Sequence, residues 1–402
     1  MALDSMNRKL LLLTLCQGLF LTNNVTFIAI NGLVGLALAP FAWLATLPVT
    51  AYVVGAALST APVARSQRFL GRKRSFQIGL VVAAVSAGIC AWAAVTQQFW
   101  LLVTATFIAG YYSANASLYR FAAPELAAPS YKEKAISLVL AGGIVGAVVG
   151  PNLANWTRGL LPTPFVGAYL ALVVVALLSL LIMSCIGFPR HEAPVPGAQS
   201  GRPLCQIIRQ PVFVVAVAGA ALGYAVMNLL MAATPLAMQM LDHPFGHIAI
   251  VLQWHVLGMF VPSFFTGHLI KRFGVLPIMS VGVMLMVICV AVALSGVALM
   301  QFTVALLLLG VGWNFLYIGG STLLTEAYTA DEKNKTQGAM DFCVFASVAI
   351  SSFASGVLIT TEGWFWINLG SLMPLVLIAA ALCWMARYQA TRRLAGANGQ
   401  AE

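Results

Sequence analysis

Runs of about 20 apolar residues recur along the whole of this 402-residue chain, which is 61% hydrophobic and only 8% charged. A run of this length spans a bilayer as one α-helix. Backbone groups in lipid must be satisfied within helices or closed barrels, and barrel strands alternate apolar and polar residues, which these runs do not. We therefore predict an all-α membrane protein. Its twelve transmembrane helices are expected at 10–37, 43–63, 76–96, 99–122, 134–156, 165–188, 211–240, 246–270, 276–297, 301–325, 337–359 and 364–387.

Basic residues sort to one side of this predicted topology. The outer connections hold only Arg158, and Arg120 lies near the inner end of the fourth span. Positive charge collects on cytoplasmic loops, so both termini are predicted to be cytoplasmic. The net charge of +10 then reflects topology and indicates no nucleic-acid partner. The inner residues are Arg8, Lys9, Arg65, Arg68, Arg72, Lys73, Arg74, Lys132, Lys134, Arg190, Arg202, Arg209, Lys271, Arg272, Lys333, Lys335, Arg387, Arg392 and Arg393.

One long polar connection, residues 189–210, divides the predicted helices six and six. The expected organisation is an N-terminal half (1–188), this cytoplasmic loop, a C-terminal half (211–387) and a cytoplasmic tail (388–402). The halves share a repeat: "RSQRFLGRKRS" (65–75) follows helix 2 and "GHLIKRFGVLP" (267–277) follows helix 8. Each predicts a tight cytoplasmic turn with arginine, phenylalanine and glycine. Two six-helix repeats are typical of secondary transporters.

These turns resemble the signature loop of the major facilitator superfamily, Gly-x-x-x-Asp-Arg-x-Gly-Arg-Arg/Lys. The matching residues are Arg68, Gly71 and Arg72 in the first copy and Gly267, Arg272 and Gly274 in the second. Lys271 replaces the usual Asp in the second copy, and the first copy lacks the acidic position. The resemblance implies a monomeric alternating-access transporter surrounded by lipid. We expect the glycines to allow tight backbone packing and the arginines to hold helix ends.

The segment "GGIVGAVVGPN" (142–152) resembles a Gly-Pro motif of antiporters in the same superfamily. Small residues at four-residue spacing allow close helix packing, which is the favoured explanation here.

Two motifs on consecutive predicted helices suggest a ligand. Met227 and Met231 share one helix face, and so do His255 and Met259. At 1.5 Å per residue, Met231 and His255 lie at similar depth. Thioether sulfur and imidazole are neutral ligands, and soft sulfur selects Cu(I). A histidine within a span is a functional candidate, whereas methionine is more often core filling.

This spacing is similar to that of the CcoA-like copper importers of the superfamily. The resemblance implies that Met227, Met231, His255 and Met259 carry copper, as Cu(I), across a bacterial cytoplasmic membrane. It further implies a cytoplasmic copper acceptor or chaperone and supply of copper to cbb3-type cytochrome c oxidase. Copper is then the substrate, and no prosthetic group is expected.

Further residues have a functional and a structural interpretation. Met238, Met240, His243 and His247 lie at the predicted outer mouth, where they either capture metal or form an ordinary helix end. Cys16 and Cys343 are either relay thiolates or buried core. Asp341 and Glu326 are either coupling carboxylates or boundary residues. His268 and His191 are expected to be structural and solvated, respectively.

An alternative substrate is an aromatic organic solute such as riboflavin. Close relatives of the copper importers carry riboflavin. Such a transporter would use interior polar and aromatic positions, namely Asn23, Asn24, Asn115, Trp313, Asn314 and Tyr317. A proton-driven efflux pump and a non-transporting scaffold for oxidase assembly are further alternatives. The sequence shows no phosphate loop and no nucleophile–base pattern, so an enzyme is not expected.

Overall fold

The computed structural model describes residues 8–127, 135, 138–139, 141–189, 201–329 and 332–398. Lys132, Lys134, His191 and positions 190–200 of the central connection lie outside the described residues. The described part is helical and contains no strand. Its N-terminal helices are α1 (Arg8–Leu38), α2 (Leu47–Val95), α3 (Phe99–Ala116), α4 (Tyr119–Leu126), α5 (Gly143–Thr157) and α6 (Val166–Ser184).

The first of the remaining helices lies in the central connection, and the others form the C-terminal half. They are α7 (Leu204–Ile207), α8 (Pro211–Val217), α9 (Gly223–Met240), α10 (Phe245–Phe260), α11 (Ser263–Phe273), α12 (Val275–Leu294), α13 (Leu299–Leu324), α14 (Lys333–Thr361), α15 (Gly363–Gly370) and α16 (Leu372–Asn398). Short 3₁₀ turns occur at Ala42–Leu44 and Thr325–Ala327, and a π-helical turn at Ala218–Leu222 joins α8 to α9.

Each predicted apolar run coincides with helix within the described residues. Within the described part of the chain, eight helical segments are long and apolar enough to cross a membrane, or nine when the bent pair α10 and α11 counts as one span. One of these segments, Ala42–Val95, contains two of the predicted spans. The runs at 99–122 and 134–156 correspond to α3 with α4 and to α5, which fall outside that count. The arrangement agrees with twelve spans, and the exact number remains a prediction.

The two signature turns share one backbone conformation. Gly71 has φ 78° and ψ 164°, and Gly274 has φ 92° and ψ 161°. This region of conformational space is open essentially to glycine alone. The non-helical backbone at Gly71 divides α2 into two helical segments, so the break expected between the predicted spans 43–63 and 76–96 lies at this glycine. The structure therefore confirms the repeat at the level of its backbone.

The expected reason for these glycines was wrong. A Cβ at Gly71 or Gly267 would meet no atom within 4 Å, so neither position requires close backbone packing. Conformation explains Gly71 and Gly274, while Gly267 lies inside α11. Arg72 forms an ion pair with Glu125 at 2.5 Å and so joins α2 to the end of α4. Arg272 lies over the ring of Phe273, 5.2 Å from its centroid.

Close packing does explain the glycine-rich segment at 142–152. A Cβ at Gly142 would lie 2.4 Å from the carbonyl oxygen of Thr14, and one at Gly146 would lie 2.5 Å from the Cβ of Leu21. The Thr26 hydroxyl also donates to the Gly150 carbonyl at 2.8 Å. Thus α5 packs tightly against α1, in line with the helix-packing interpretation of this segment.

Side-chain contacts join the two halves on the predicted outer side. Asn152 on α5 donates to Gln253 on α10 at 2.7 Å. The Thr46 hydroxyl donates to the Ser352 carbonyl at 2.8 Å. The rings of Phe165 and Phe245 meet edge to face at 5.4 Å between centroids. We call these three contacts the outer latch.

A charged contact fixes the described end of the central connection. Arg202 donates to both carboxylate oxygens of Glu332, at 3.0 and 2.8 Å, and to the Ala327 carbonyl at 3.1 Å. The Thr329 amide also donates to Glu332, at 3.1 Å. Hydrogen bonds from Arg202 and from the Thr329 backbone lower the pKa of Glu332 below its ordinary value. The carboxylate thus ties the connection to the start of α14.

Candidate functional site

The face of α9 that carries the methionine pair begins just after the π-helical turn. Tyr224, Met227 and Met231 lie three to seven residues apart, so they share one side of the helix. Met227 is 1% exposed and Met231 is 8% exposed. π-Turns inside α-helices occur frequently at functional sites. An extra residue in a turn also rotates the face that follows it. The turn therefore sets where this stripe points.

An aromatic cluster lies at the end of this face that carries Tyr224. Trp313 and Tyr317, one turn apart on α13, stack with centroids 5.1 Å apart and planes inclined by 11°. Tyr224 meets both rings edge to face, at 5.2 Å from Trp313 and 5.7 Å from Tyr317. Such pairs favour stacked and edge-to-face geometries. These three side chains, which we call the ring cluster, pack on one another; Trp313 is 7% exposed, and Tyr224 and Tyr317 are partly buried.

Charged side chains from both halves adjoin the ring cluster. Arg120, on α4, lies within electrostatic reach of the hydroxyls of Tyr224 and Tyr317. It also interacts with Asp341, near the start of α14. Asp341 is exposed, so open space adjoins it. The ring cluster thus sits where the N-terminal half meets the C-terminal half.

Two buried donors at this place have no hydrogen-bond partner among the residues that the structure describes. They are the indole Nε1 of Trp313 and the guanidinium Nε of Arg120. Leaving a buried donor unpaired costs about 1–3 kcal/mol. Such atoms are accordingly expected to bond to a ligand or water, and here they lie beside a flat aromatic surface.

His255 is completely buried on α10 and points toward α13. Its Nδ1 lies 2.8 Å from the carbonyl oxygen of Leu306, and its Nε2 has no hydrogen-bond partner in the described part of the chain. Because a carbonyl only accepts, Nδ1 carries the proton and Nε2 carries a free lone pair. Close approach of α10 and α13 at Gly258 and Gly310 produces this geometry.

The four residues expected to bind copper are all buried, but they lie on helices with different partners. Met227, Met231 and Met259 belong to one large apolar cluster. The helix α9 packs mainly against α14, whereas α10 packs mainly against α13 and α5. The described residues contain no group of three His, Cys, Asp or Glu side chains arranged for a metal. The four-residue copper set therefore remains a prediction.

Asn314 does not face open space. Its amide nitrogen donates to the Met259 carbonyl at 2.7 Å and to the Ser263 hydroxyl at 2.6 Å, and its oxygen accepts from Thr266 at 2.7 Å. The side chain joins α13 to α10 and α11, so its expected role in solute binding is replaced by a structural one.

The N-terminal polar residues differ among themselves. Asn115 accepts from the Ser75 hydroxyl at 3.1 Å while its Nδ2 is buried without a partner. Asn23 is 5% exposed and Asn24 is partly buried, both on α1. None of the three makes a described contact with the ring cluster.

The predicted metal-entry and relay residues are dispersed. Met238 is buried in the core and cannot capture a solute from outside, whereas Met240 is 56% exposed. His243 and His247 lie side by side, with their Nδ1 atoms 3.4 Å apart. Cys16 belongs to a separate cluster of the N-terminal half, where its thiol contacts the Ser179 carbonyl at 3.8 Å, while Cys343 packs against the cluster of the methionines.

The two coupling candidates have different surroundings. Asp341 interacts with Arg120 near the ring cluster, whereas Glu326 lies exposed at the end of α13. His268 is exposed as well.

Two residues of this site, Arg120 and Tyr224, were not expected from the sequence. Arg120 was noticed only as an exception near the inner end of a span, although an arginine within a span is a functional candidate. Tyr224 lies seven residues before Met231, on the face that had been singled out for sulfur.

Comparison with known proteins agrees with this architecture. The sequence profile of the Major Facilitator Superfamily matches residues 10–261 and 243–401. A riboflavin transporter of Brucella anthropi, RfnT, is 39% identical over 363 residues, covering 90% of this chain and 91% of that protein. An uncharacterized MFS-type transporter of Bacillus subtilis, YdeG, is 27% identical over 353 residues, covering 83% and 82% of the two chains.

Solved structures show the same fold at low sequence identity. A mutant of the nucleoside transporter NupG superimposes with a TM-score of 0.73 at 13% identity, covering 94% of this chain and all of that one, 100%. A bacterial homolog of the lysosomal transporter Spinster, in an inward-facing unoccupied conformation, gives a TM-score of 0.70 at 15% identity, covering 94% and 96%. The chain therefore belongs to the major facilitator superfamily of membrane transporters.

Proposed function

We propose that this transporter imports a planar aromatic heterocycle of the riboflavin type across the bacterial cytoplasmic membrane. The observation that carries the proposal is the ring cluster with two unpaired donors beside it. The similarity to a riboflavin transporter at 39% identity over nearly the whole chain supports the same substrate class. This was the alternative to copper in the sequence analysis, and the comparisons favour it.

The chemistry of the site suits such a substrate. An isoalloxazine ring system has a flat face that can stack on Trp313 and Tyr317. Its edge carries carbonyl oxygens that can accept from the indole of Trp313 and the guanidinium of Arg120. Methionine thioethers adapt to irregular apolar shapes and contact rings favourably, which gives Met227 and Met231 a role without metal. A neutral nutrient needs no balancing charge.

The position of these residues suggests how transport proceeds. Arg120 belongs to the N-terminal half, whereas the ring cluster belongs to the C-terminal half. A substrate held by both would be released when the halves rock apart on one side, as alternating access requires. The outer latch would have to open for substrate to enter from outside.

Copper import remains the second candidate because of His255. Its Nε2 is buried, lacks a partner and carries a lone pair, while the Nδ1–H donates to a backbone carbonyl. That arrangement is typical of metal-binding histidines. Copper transport would use the same rocking of the halves and would deliver the ion to a cytoplasmic acceptor.

One experiment separates the two substrates. Uptake of radioactive riboflavin and of radioactive copper would be measured in cells lacking their own importers, at equal membrane abundance of each variant. The variants are Met231→Leu and His255→Leu for the sulfur–imidazole set, and Trp313→Ala for the ring cluster.

We expect riboflavin uptake that is lost in Trp313→Ala and retained, at least in part, in Met231→Leu. Copper uptake that disappears in both Met231→Leu and His255→Leu, with no riboflavin flux, would instead establish the copper transporter. Absence of both fluxes in the native chain would exclude both substrates.

A further inference from the structure

Two imidazoles face each other on the predicted outer side: His243 lies in the connection from α9 to α10, and His247 lies in the first turn of α10. The Nδ1 atoms of His243 and His247 are 3.4 Å apart. This separation exceeds the ordinary 2.7–3.2 Å range of N–H hydrogen bonds. Two nitrogen ligands about 2.0–2.1 Å from one tetrahedral ion lie about 3.3 Å from each other. The pair is therefore spaced as ligands of a common metal are spaced.

The second nitrogen of His243 is already engaged. Its Nε2 lies 2.8 Å from the carbonyl oxygen of Val297, in the connection between α12 and α13. Since a carbonyl only accepts, Nε2 carries the proton and Nδ1 carries the lone pair. Metal-binding histidines usually donate their other N–H to a carbonyl or carboxylate in this way. The rings of His243 and Phe302 also meet edge to face, with centroids 5.7 Å apart.

We propose that His243 and His247 form an outer-face site for a divalent first-row transition ion, of which Zn²⁺ is the representative. Neutral imidazole suits zinc, copper and nickel better than calcium or magnesium. Among the described residues no third His, Cys, Asp or Glu joins the pair, so the two imidazoles are the ligands that this part of the chain supplies. Both side chains are partly exposed and open to the ion.

This site is separate from the sulfur–imidazole set inside the membrane. His255 is fully buried within α10, whereas His243 lies just before that helix and His247 lies in its first turn. Arg158, whose guanidinium lies 5.1 Å from the Phe245 ring centroid, adds a positive charge nearby. This charge repels a cation, so binding at the pair depends on coordination by the two nitrogens.

Occupancy would act on the outer latch. Phe245, which meets Phe165 of the other half, lies between the two histidines in the chain. An ion bridging them would fix this segment while His243 holds it against Val297. The bound ion would therefore hold the latch closed and slow entry of substrate from outside.

The test is equilibrium dialysis of Zn²⁺ against the purified full-length chain without a histidine tag. We expect one Zn²⁺ per chain, with affinity reduced about tenfold or more in His243→Gln and in His247→Gln. His268→Gln, at an exposed histidine elsewhere, is the matched control and should bind as the native chain does. In the absence of Zn²⁺, each variant must have the same unfolding temperature as the native chain. His247→Asn is a second substitution at this position, for use if His247→Gln unfolds at a lower temperature.

Unchanged Zn²⁺ affinity in both His243→Gln and His247→Gln would overturn the site. Loss of binding in His255→Leu alone would do so as well, because it would place the ion inside the membrane. The measurement requires no transport, so its result is independent of which substrate the chain carries.

Discussion

Trp313 and Tyr317 stack at 5.1 Å with nearly parallel planes, and the indole nitrogen of Trp313 is left without a partner. Stacking and hydrogen bonding at this tryptophan can be separated, because phenylalanine retains a ring but has no N–H. Trp313→Phe is expected to raise the KM for riboflavin about threefold to tenfold, which corresponds to one hydrogen bond of about 0.5–1.5 kcal/mol. Uptake kinetics measure this. Trp384→Phe, at an exposed tryptophan, is the control, and an unchanged KM in Trp313→Phe would exclude the indole as a donor.

Arg120 offers a second test of substrate contact. Arg120→Lys keeps the charge but loses the planar, multiply donating guanidinium. If Arg120 binds a carbonyl edge, this change raises KM, and Arg120→Met raises it further. The exposed Arg387 is a suitable position for the control substitution Arg387→Lys. Equal KM values for riboflavin in all three variants and the native chain would place Arg120 outside the site.

The two signature glycines and Gly267 should respond to alanine with opposite signs. Gly71 and Gly274 have φ values of 78° and 92°, so alanine there is expected to cost about 1–3 kcal/mol of stability. Gly267 lies in α11 with open space around it, and alanine should stabilise that helix by about 0.5–1 kcal/mol. Thermal unfolding in detergent would show the difference. Equal melting temperatures for Gly71→Ala and Gly267→Ala would contradict it.

The outer latch can be closed chemically. Asn152→Cys combined with Gln253→Cys places two thiols where a hydrogen bond of 2.7 Å now joins the halves. A short bis-methanethiosulfonate reagent is expected to cross-link them and abolish uptake, because the outer side can no longer open. Reductant should restore transport, and each single variant should remain active after treatment. Full uptake by the cross-linked double variant would show that this contact need not break.

The ion pair between Arg202 and Glu332 should be insensitive to pH in the cellular range. Its hydrogen bonds lower the pKa of Glu332, so its stabilising contribution is present above the ordinary value near 4.3 and is lost only as pH falls through the lowered pKa. Hydrogen exchange of residues 201–210 should therefore be equally protected at pH 5.5 and 7.5 after correction for intrinsic rates.

Substitution separates this contact from general effects. Glu332→Gln is expected to speed exchange of the same residues, whereas Glu326→Gln, at an exposed carboxylate, should not. Loss of protection between pH 7.5 and 5.5 in the native chain would show that another group controls this segment.

Much of the fold follows from the apolar runs, because a helix in lipid must be continuous and apolar to satisfy its backbone. The break at Gly71 was predicted as a tight turn, because the basic segment 65–75 interrupts two apolar runs, whereas the positive φ that Gly71 shares with Gly274 could not be read from composition. The site was predicted only in part. Trp313 and Tyr317 were named, but Asn314 beside them bonds to neighbouring helices instead. Which polar residue faces a partner helix depends on helix rotation, and spacing along one helix does not determine that rotation.

The π-helical turn at Ala218–Leu222 is a point about which the following helix, α9, can rotate. One residue more or less in a helical turn swivels everything beyond it by about 100°. If this turn relaxed to regular α-helix, the helix that follows would rotate about its axis as one unit. Its side chains at Tyr224, Met227 and Met231 would then change direction together while the helix stays intact. The same side chains could then be offered to a solute in one state of the carrier and withdrawn from it in the next.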